Sequence, residues 1–268
     1  MDRYIVIGNP VEHSLSPDIH RAFAEQTRED LEYATLFAPQ DAFASKIAGF
    51  FDAGGRGANV TVPFKSEAHS WVDAHDVSAA TTGAVNTIAR EGDLSMGYNT
   101  DGPGLIADLD ALGIDVAGSR LLMLGAGGAA RGVLGPLLAA GVADLVVANR
   151  TVARAETLVA ALEGGAVKAC GLEAVTGPFD VIINGTSAGL SGEAALIAPA
   201  VAQGAICYDL LYARDGATPF CEWARSAGAT RVVDGLGMLV EQAAAAFAIW
   251  RGVTPDARTV LAALRGHT

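Results

Sequence analysis

The chain has 268 residues, enough for two domains of ordinary size. Hydrophobic residues make up 51% of it, and 30 acidic against 18 basic side chains leave a net charge of −12. Such a surface repels nucleic-acid phosphates and anionic lipid headgroups and argues against both as partners, so an anionic ligand must be met by a local basic site.

The elements follow one another with few gaps. Tyr4 to Ile7 reads as a strand, Ser16 to Glu25 as a helix with Pro17 in its first turn, and Leu31 to Phe37 as a strand. A helix over Asp41 to Asp52 and a strand over Gly57 to Val62 come next, then a hairpin of Thr87 to Arg90 and Leu94 to Tyr98 around Glu91-Gly92-Asp93. A helix from Gly102 to Leu112 leads into a regular alternation: strand 120–124, helix 129–140, strand 144–149, helix 152–162, and strands 180–183 and 205–208. Such alternation predicts a mostly parallel, doubly wound α/β sheet. Helices over Glu241 to Trp250 and Asp256 to Leu264 close the chain. Breaks near Asp101 and Asp234 divide it into an α/β domain of residues 1–101 and 236–268, to which the last helices return, and a doubly wound, Rossmann-type domain of 102–235.

Cys170, Cys207 and Cys221 form no CxxC pair and no zinc-spaced set with histidine. His13, His20, His69, His75 and His267 show no ligand spacing either, so no metal is expected. The opening apolar run is too short for a signal peptide, and no stretch approaches the roughly 20 apolar residues of a membrane span. A cytoplasmic protein is the expectation.

After strand 120–124 comes Gly125-Ala126-Gly127-Gly128-Ala129-Ala130, which fits G-x-G-x-x-G/A. The first glycine permits a tight turn, the second lets the backbone approach a pyrophosphate, and the third small residue lets helix pack on strand. The next strand ends not in the carboxylate that would accept from a ribose 2′-hydroxyl but in Asn149-Arg150-Thr151-Val152-Ala153-Arg154. Arg150 can pair with a 2′-phosphate through two N–H donors, and Arg154 lies on the same side of the first helical turn. Thr151 is a natural N-cap there. The expected cofactor is NADP; the plain alternative is a helix with two solvated arginines.

Three earlier segments concentrate polar chemistry. Ser14 and Ser16 could present two hydroxyls to a carboxylate or polyol, although Ser16-Pro17-Asp18 reads equally as a helix cap. Ala58 to Lys65 reads as a strand ending in Pro-Phe-Lys, with Lys65 at the tip, either a general acid–base group or a surface charge. Asn86 can donate to and accept from a hydroxyl, and Asp101 of Asn99-Thr100-Asp101-Gly102 is a ligand or an Asx-turn residue.

Taken in order, residues 8–17, 58–65, 83–87, 99–102, 125–129, 149–151 and 234–239 resemble the shikimate dehydrogenase family over nearly the whole chain. The resemblance implies NADP-dependent, reversible reduction of 3-dehydroshikimate in aromatic amino-acid biosynthesis. It implies that Ser14 and Ser16, with Tyr212, hold the substrate carboxylate, that Thr61, Lys65, Asn86, Asp101 and Gln242 surround the ring hydroxyls, and that Lys65 and Asp101 form the catalytic pair. Gly125, Ala126, Gly127, Gly128 and Ala129, with Asn149, Arg150, Thr151 and Arg154, would hold the cofactor, and Leu210 and Gly235 would lie beside the nicotinamide. The chain has Leu15 where many relatives carry a lysine, Leu210 for a commoner methionine, and Val77 where some relatives have an acidic residue. A sister enzyme acting on quinate or an amino analogue, and a non-catalytic NADP(H) sensor, remain as alternatives, as do monomer and homodimer.

Overall fold

The computed structural model describes residues 1–162, 166–186, 197–213 and 216–266. The chain divides into two compact units, one of Met1–Gly104 with the segment from Leu239 onward, the other of Leu105–Met238.

The first unit opens with β1 (Asp2–Gly8), α1 (Ser16–Thr27), β2 (Leu31–Phe37), α2 (Phe43–Asp52) and β3 (Gly57–Val60). It continues through α3 (Lys65–Trp71), β4 (Ala74–His75), α4 (Val77–Thr82), β5 (Thr87–Glu91) and β6 (Leu94–Tyr98) to the first turn of α5 (Asp101–Ala111). Its six strands lie in the order β2-β1-β3-β5-β6-β4. β1 runs parallel to β2 and β3, and the β5–β6 hairpin is antiparallel, so this sheet is mixed. The two faces follow from alternation along β1. Ile5 and Ile7 join Phe43, Ile47 and Phe51 of α2 on one side, and Tyr4 and Val6 pack with Tyr33 on the other.

The second unit contains β7 (Arg120–Leu124), α6 (Gly128–Ala139), β8 (Asp144–Ala148), α7 (Val152–Ala160), β9 (Ala166–Cys170), β10 (Val181–Asn184), β11 (Ile206–Asp209), α8 (Pro219–Ser226) and β12 (Arg231–Val233). The chain ends with α9 (Leu236–Arg251) and α10 (Ala257–Gly266). The sheet order is β12-β11-β10-β7-β8-β9 and every pairing is parallel. Counted from β7 as the first strand, this is the 3-2-1-4-5-6 order of dinucleotide-binding sheets, with the order reversing between β7 and β10. The middles of its inner strands are apolar because helices cover both faces. Leu121 and Met123 face a core with Val133, Leu134 and Leu137 of α6, while Leu122 and Leu124 face Phe220 and Ala224 of α8.

Several elements differ from the sequence reading. The strand begun at Gly57 stops at Val60, and Lys65 is the first residue of α3 rather than a strand tip. Residues 61–64 turn the chain instead, with the Phe64 amide bonded to the Thr61 carbonyl. The short elements α3, β4, α4, β9, α8 and β12 were not foreseen. Two carry capping signals: the Asp76 side chain accepts from Ala79 N at the head of α4, and Thr218 accepts from Cys221 N ahead of Pro219 in α8.

No described helix is long and apolar enough to cross a membrane. Among the described residues no cluster of histidine, cysteine, aspartate and glutamate could hold a metal ion, and His267 lies outside them.

The C-terminal end of α9 is fastened to the start of the chain. The Arg251 guanidinium bonds Asp2 at 2.5 Å, the Tyr4 hydroxyl at 3.2 Å and the Glu29 carboxylate. The Arg251 guanidinium beside Asp2 holds that carboxyl below the usual aspartate range. A depressed carboxyl adds stability above its ordinary value and loses it as pH falls through the folded value. Arg251→Met should therefore cost about 1–2 kcal/mol near neutrality, since one partner is partly solvated. Urea unfolding should show that penalty shrinking below about pH 4.

Candidate active site and dinucleotide cradle

In the first unit Lys65 and Asn86, both singled out above, converge on the carboxylate of Asp101. Lys65 Nζ donates to Asp101 Oδ2 at 2.5 Å, with side chains only 16% and 7% exposed. Asn86 Nδ2 donates to Asp101 Oδ1 at 2.8 Å, so both carboxylate oxygens are engaged. The Asp101 amide donates to Asn99 Oδ1, which fixes the backbone at the head of α5. Burying an ion pair strips water from two charges, so the pair persists only where further hydrogen bonds satisfy it. Here Asn86 supplies that support.

Asn86 is itself fully enclosed. Its carbonyl oxygen accepts from the Thr100 amide at 2.8 Å and from the Thr87 hydroxyl at 3.0 Å, and its amide nitrogen also reaches Gln242 Oε1 at 3.3 Å. Gln242, on α9, takes a second bond from the Thr100 hydroxyl at 3.2 Å and donates to Leu239 O. Its oxygen is thus turned inward, and one amide hydrogen remains for a ligand. Thr100 and Thr87 had no role in the sequence reading; their signal was adjacency to Asp101 and Asn86.

Ser14 and Ser16 also come together, with Ser14 Oγ donating to Ser16 Oγ at 3.1 Å and accepting from the Ser16 amide at 3.2 Å. The capping reading of Ser16 does not hold: Leu15 occupies the cap position and Ser16 is the first helical residue. Thr61, half-buried, follows β3 and bonds through its amide to Ile7 O.

One turn along α1 from Ser16, His20 is completely buried, its ring 4.2 Å from that of Tyr33 at 8° and flanked by Phe23, Phe247 and Trp250. Neither ring nitrogen has a partner in good hydrogen-bond geometry, although the Asn59 side chain lies beside the ring. Burial pushes this histidine down to about 3. The unfolded chain takes up that proton near the ordinary value of about 6.5. Stability therefore falls on acidification between these values, by up to about 1.4 kcal/mol per pH unit from this group. Chemical denaturation from pH 7 to 4 should show a shallower decline for His20→Phe than for the parent chain.

The second unit presents a turn at the β7–β10 switch. Gly125 has φ +99°, a conformation that side chains rarely adopt, and a Cβ there would lie 3.0 Å from the Gly185 carbonyl. Gly127 and Gly128, at the start of α6, face open space instead, with nothing within 4 Å of a built Cβ. The free amides of that helix start can therefore be approached closely by an anion, as a pyrophosphate requires. Ala126 and Ala129, on either side of them in the chain, are half-buried.

At the end of β8, Asn149 Nδ2 donates to Thr151 O, and Arg150, Thr151 and Arg154 are exposed. Thr151 stands at the cap position of α7 but makes no side-chain capping bond, which corrects the expectation from its residue type. Beyond β11, Gly235 packs so closely that a Cβ would meet Leu210 O at 2.5 Å. Leu210 and Tyr212 are half-buried in the same segment.

A network missed from sequence supports this segment. Asp209 accepts from Asn184 at 2.9 Å, from Thr218 at 2.5 Å and from the Leu211 amide at 3.1 Å. Burial pushes its carboxyl up, and these donors oppose that shift. The signal available was a polar residue ending each of two apolar strands, Asn184 and Asp209.

Comparison with known proteins agrees with this arrangement. The chain matches the shikimate dehydrogenase substrate binding domain over residues 6–88, shikimate/quinate 5-dehydrogenase over 107–192, and the shikimate 5′-dehydrogenase C-terminal domain over 235–265. It is 52% identical to the shikimate dehydrogenase (NADP(+)) of Alkalilimnicola ehrlichii over 98% of each chain. The chain belongs to the shikimate dehydrogenase family. Among solved members, a Thermus thermophilus shikimate 5-dehydrogenase in complex with NADP(H) and shikimate superimposes with a TM-score of 0.87 at 32% identity, over 100% of both chains. The Ael1 enzyme of Pseudomonas putida gives 0.92 at 42% identity, over 98% of each.

Proposed function

We propose that this chain catalyses the reversible, NADP-dependent reduction of 3-dehydroshikimate to shikimate, with Lys65 and Asp101 as its acid–base pair. The observation that carries the reading is the enclosed 2.5 Å contact between these two side chains, steadied by Asn86. Reduction of a ring ketone needs a hydride at carbon and a proton at oxygen. The hydride is the chemistry that NADPH supplies when bound.

Everything else falls to the chain's own groups. Lys65 donates the proton to the ketone oxygen in reduction and withdraws it in oxidation. Asp101 holds the ammonium by its hydrogen bond and orients a neighbouring ring hydroxyl. Gln242, with its oxygen turned inward, offers an N–H to a second hydroxyl, and Thr61 and Asn86 complete the polar surround. Ser14 and Ser16, with Tyr212, take the substrate carboxylate. The open face of Gly127 and Gly128 receives the pyrophosphate, and Asn149, Arg150, Thr151 and Arg154 take the adenosine 2′-phosphate. Leu210 and Gly235 border the nicotinamide. Free, mostly buried cysteines and an acidic surface fit a cytoplasmic setting.

Formation of NADPH from NADP+ and shikimate, followed at 340 nm, tests the activity, and kcat/KM should be higher on shikimate than on quinate. Lys65→Ala should lower kcat by about 10²–10⁴ while leaving NADP+ affinity nearly intact. Wild-type turnover by that variant overturns the role of the lysine.

Cofactor choice is checked separately. Arg150→Asp should raise KM for NADP(H) by about tenfold or more, through loss of a charged hydrogen bond and gain of repulsion. KM for NAD(H) should barely move, and an equal rise for both cofactors would refute the phosphate clamp.

A further inference from the structure

Behind Asn86 lies a layer of neutral polar side chains to which no part has been assigned. Its centre is Thr87, the first residue of β5 and completely buried. The antiparallel register sets Thr87 opposite Asn59 of β3, and directly opposed residues share a face of the sheet. Asn59 Nδ2 donates to Thr87 Oγ1 at 3.0 Å, and Thr87 Oγ1 donates to Asn86 Oδ1 at 3.0 Å.

Counting protons fixes the direction of each bond. The Asn59 amide nitrogen also faces the Asn86 backbone carbonyl at 3.3 Å, which can only accept, while Asn59 Oδ1 takes the Tyr33 hydroxyl proton at 2.7 Å. A turned Asn59 would set its oxygen against that carbonyl. Thr87 has one hydroxyl proton, and its oxygen is already receiving from Asn59. The proton therefore goes to Asn86 Oδ1; the Thr100 hydroxyl, at 3.4 Å, is the more distant acceptor. With the Thr100 amide on the same oxygen at 2.8 Å, Asn86 is held with its nitrogen toward Asp101. The opposite orientation would put an amide oxygen against a buried carboxylate.

We propose that Thr87 is a positioning residue for the acid–base pair, its hydroxyl locking the Asn86 amide in the direction that donates to Asp101. The proposal rests on the reading of Lys65 and Asp101 as that pair. Whenever Lys65 is without its proton, Asp101 loses its cation, and the Asn86 amide then carries more of the carboxylate's charge. A loosened amide is therefore felt in turnover more than in binding. Thr87, fully enclosed, acts only through Asn86.

Thr87→Val keeps the branched shape and removes the hydroxyl. For shikimate oxidation kcat should fall about tenfold, the scale of one lost buried hydrogen bond, with KM for NADP+ within about twofold. Thr87→Ser, which restores the hydroxyl, should recover kcat to within about threefold of the parent. In an Asn86→Ala background Thr87→Val should have no further effect. An unchanged kcat in Thr87→Val, a Thr87→Ser variant as slow as Thr87→Val, or an undiminished effect in the Asn86→Ala background each overturns the proposal. So does a Thr87→Val chain that fails to fold, because the hydroxyl would then serve the scaffold. The parent and Lys65→Ala are assayed first: no turnover of shikimate by the parent, or full turnover by Lys65→Ala, sinks the functional reading itself. A Lys65-dependent activity that is insensitive to Thr87→Val sinks only the part given to Thr87.

Discussion

An ammonium and a carboxylate withdrawn from water attract strongly, but each has given up a hydration shell to be there. The Lys65–Asp101 pair is tolerable only because Asn86 occupies the second carboxylate oxygen and the Asn99 side chain pins the backbone below. Much of the first unit can be understood as the scaffold of that pair. α3 begins at the lysine and α5 begins at the aspartate, so each charge sits on the rigid start of a helix. The β5–β6 hairpin brings Asn86 and Thr100 to the same place from its two ends.

The second unit solves a different problem, the approach of a polyanion to an acidic molecule. Where the proposed reading places the pyrophosphate, it offers backbone rather than charge: two glycines leave helix amides uncovered. In the proposed reading, charge is reserved for the point where one phosphate distinguishes two cofactors, at Arg150 and Arg154. The parallel order of the strands places the tight turn at the switch, where the strand ends diverge and leave room.

Much of this was legible in the sequence, for identifiable reasons. The inner strands of the second sheet are long apolar runs with turn signals on either side, and all were placed within a residue or two. The glycine turn was legible because its spacing is set by backbone sterics. What escaped were elements that lack periodicity: α4 has six small or β-branched residues, and β12 has three residues. Lys65 was placed on a strand because Val-Thr-Val has strand composition, yet β3 ends at Val60 and the chain turns before a helix. Within the site, residue types foretold the charged partners but not the neutral ones. Thr87, Thr100, Asn59 and Tyr33 are distant in sequence, and only the folded sheet brings them into one layer.

The arginines proposed to choose the cofactor are exposed at the end of β8, and the proposed acid–base pair is buried within the other unit. Exchanging the exposed Arg154 removes little packing, so such a change carries little penalty in folding. On that reading, preference for one nicotinamide over another can drift along a lineage, or be rewritten at the bench, while the chemistry at the ketone is inherited intact.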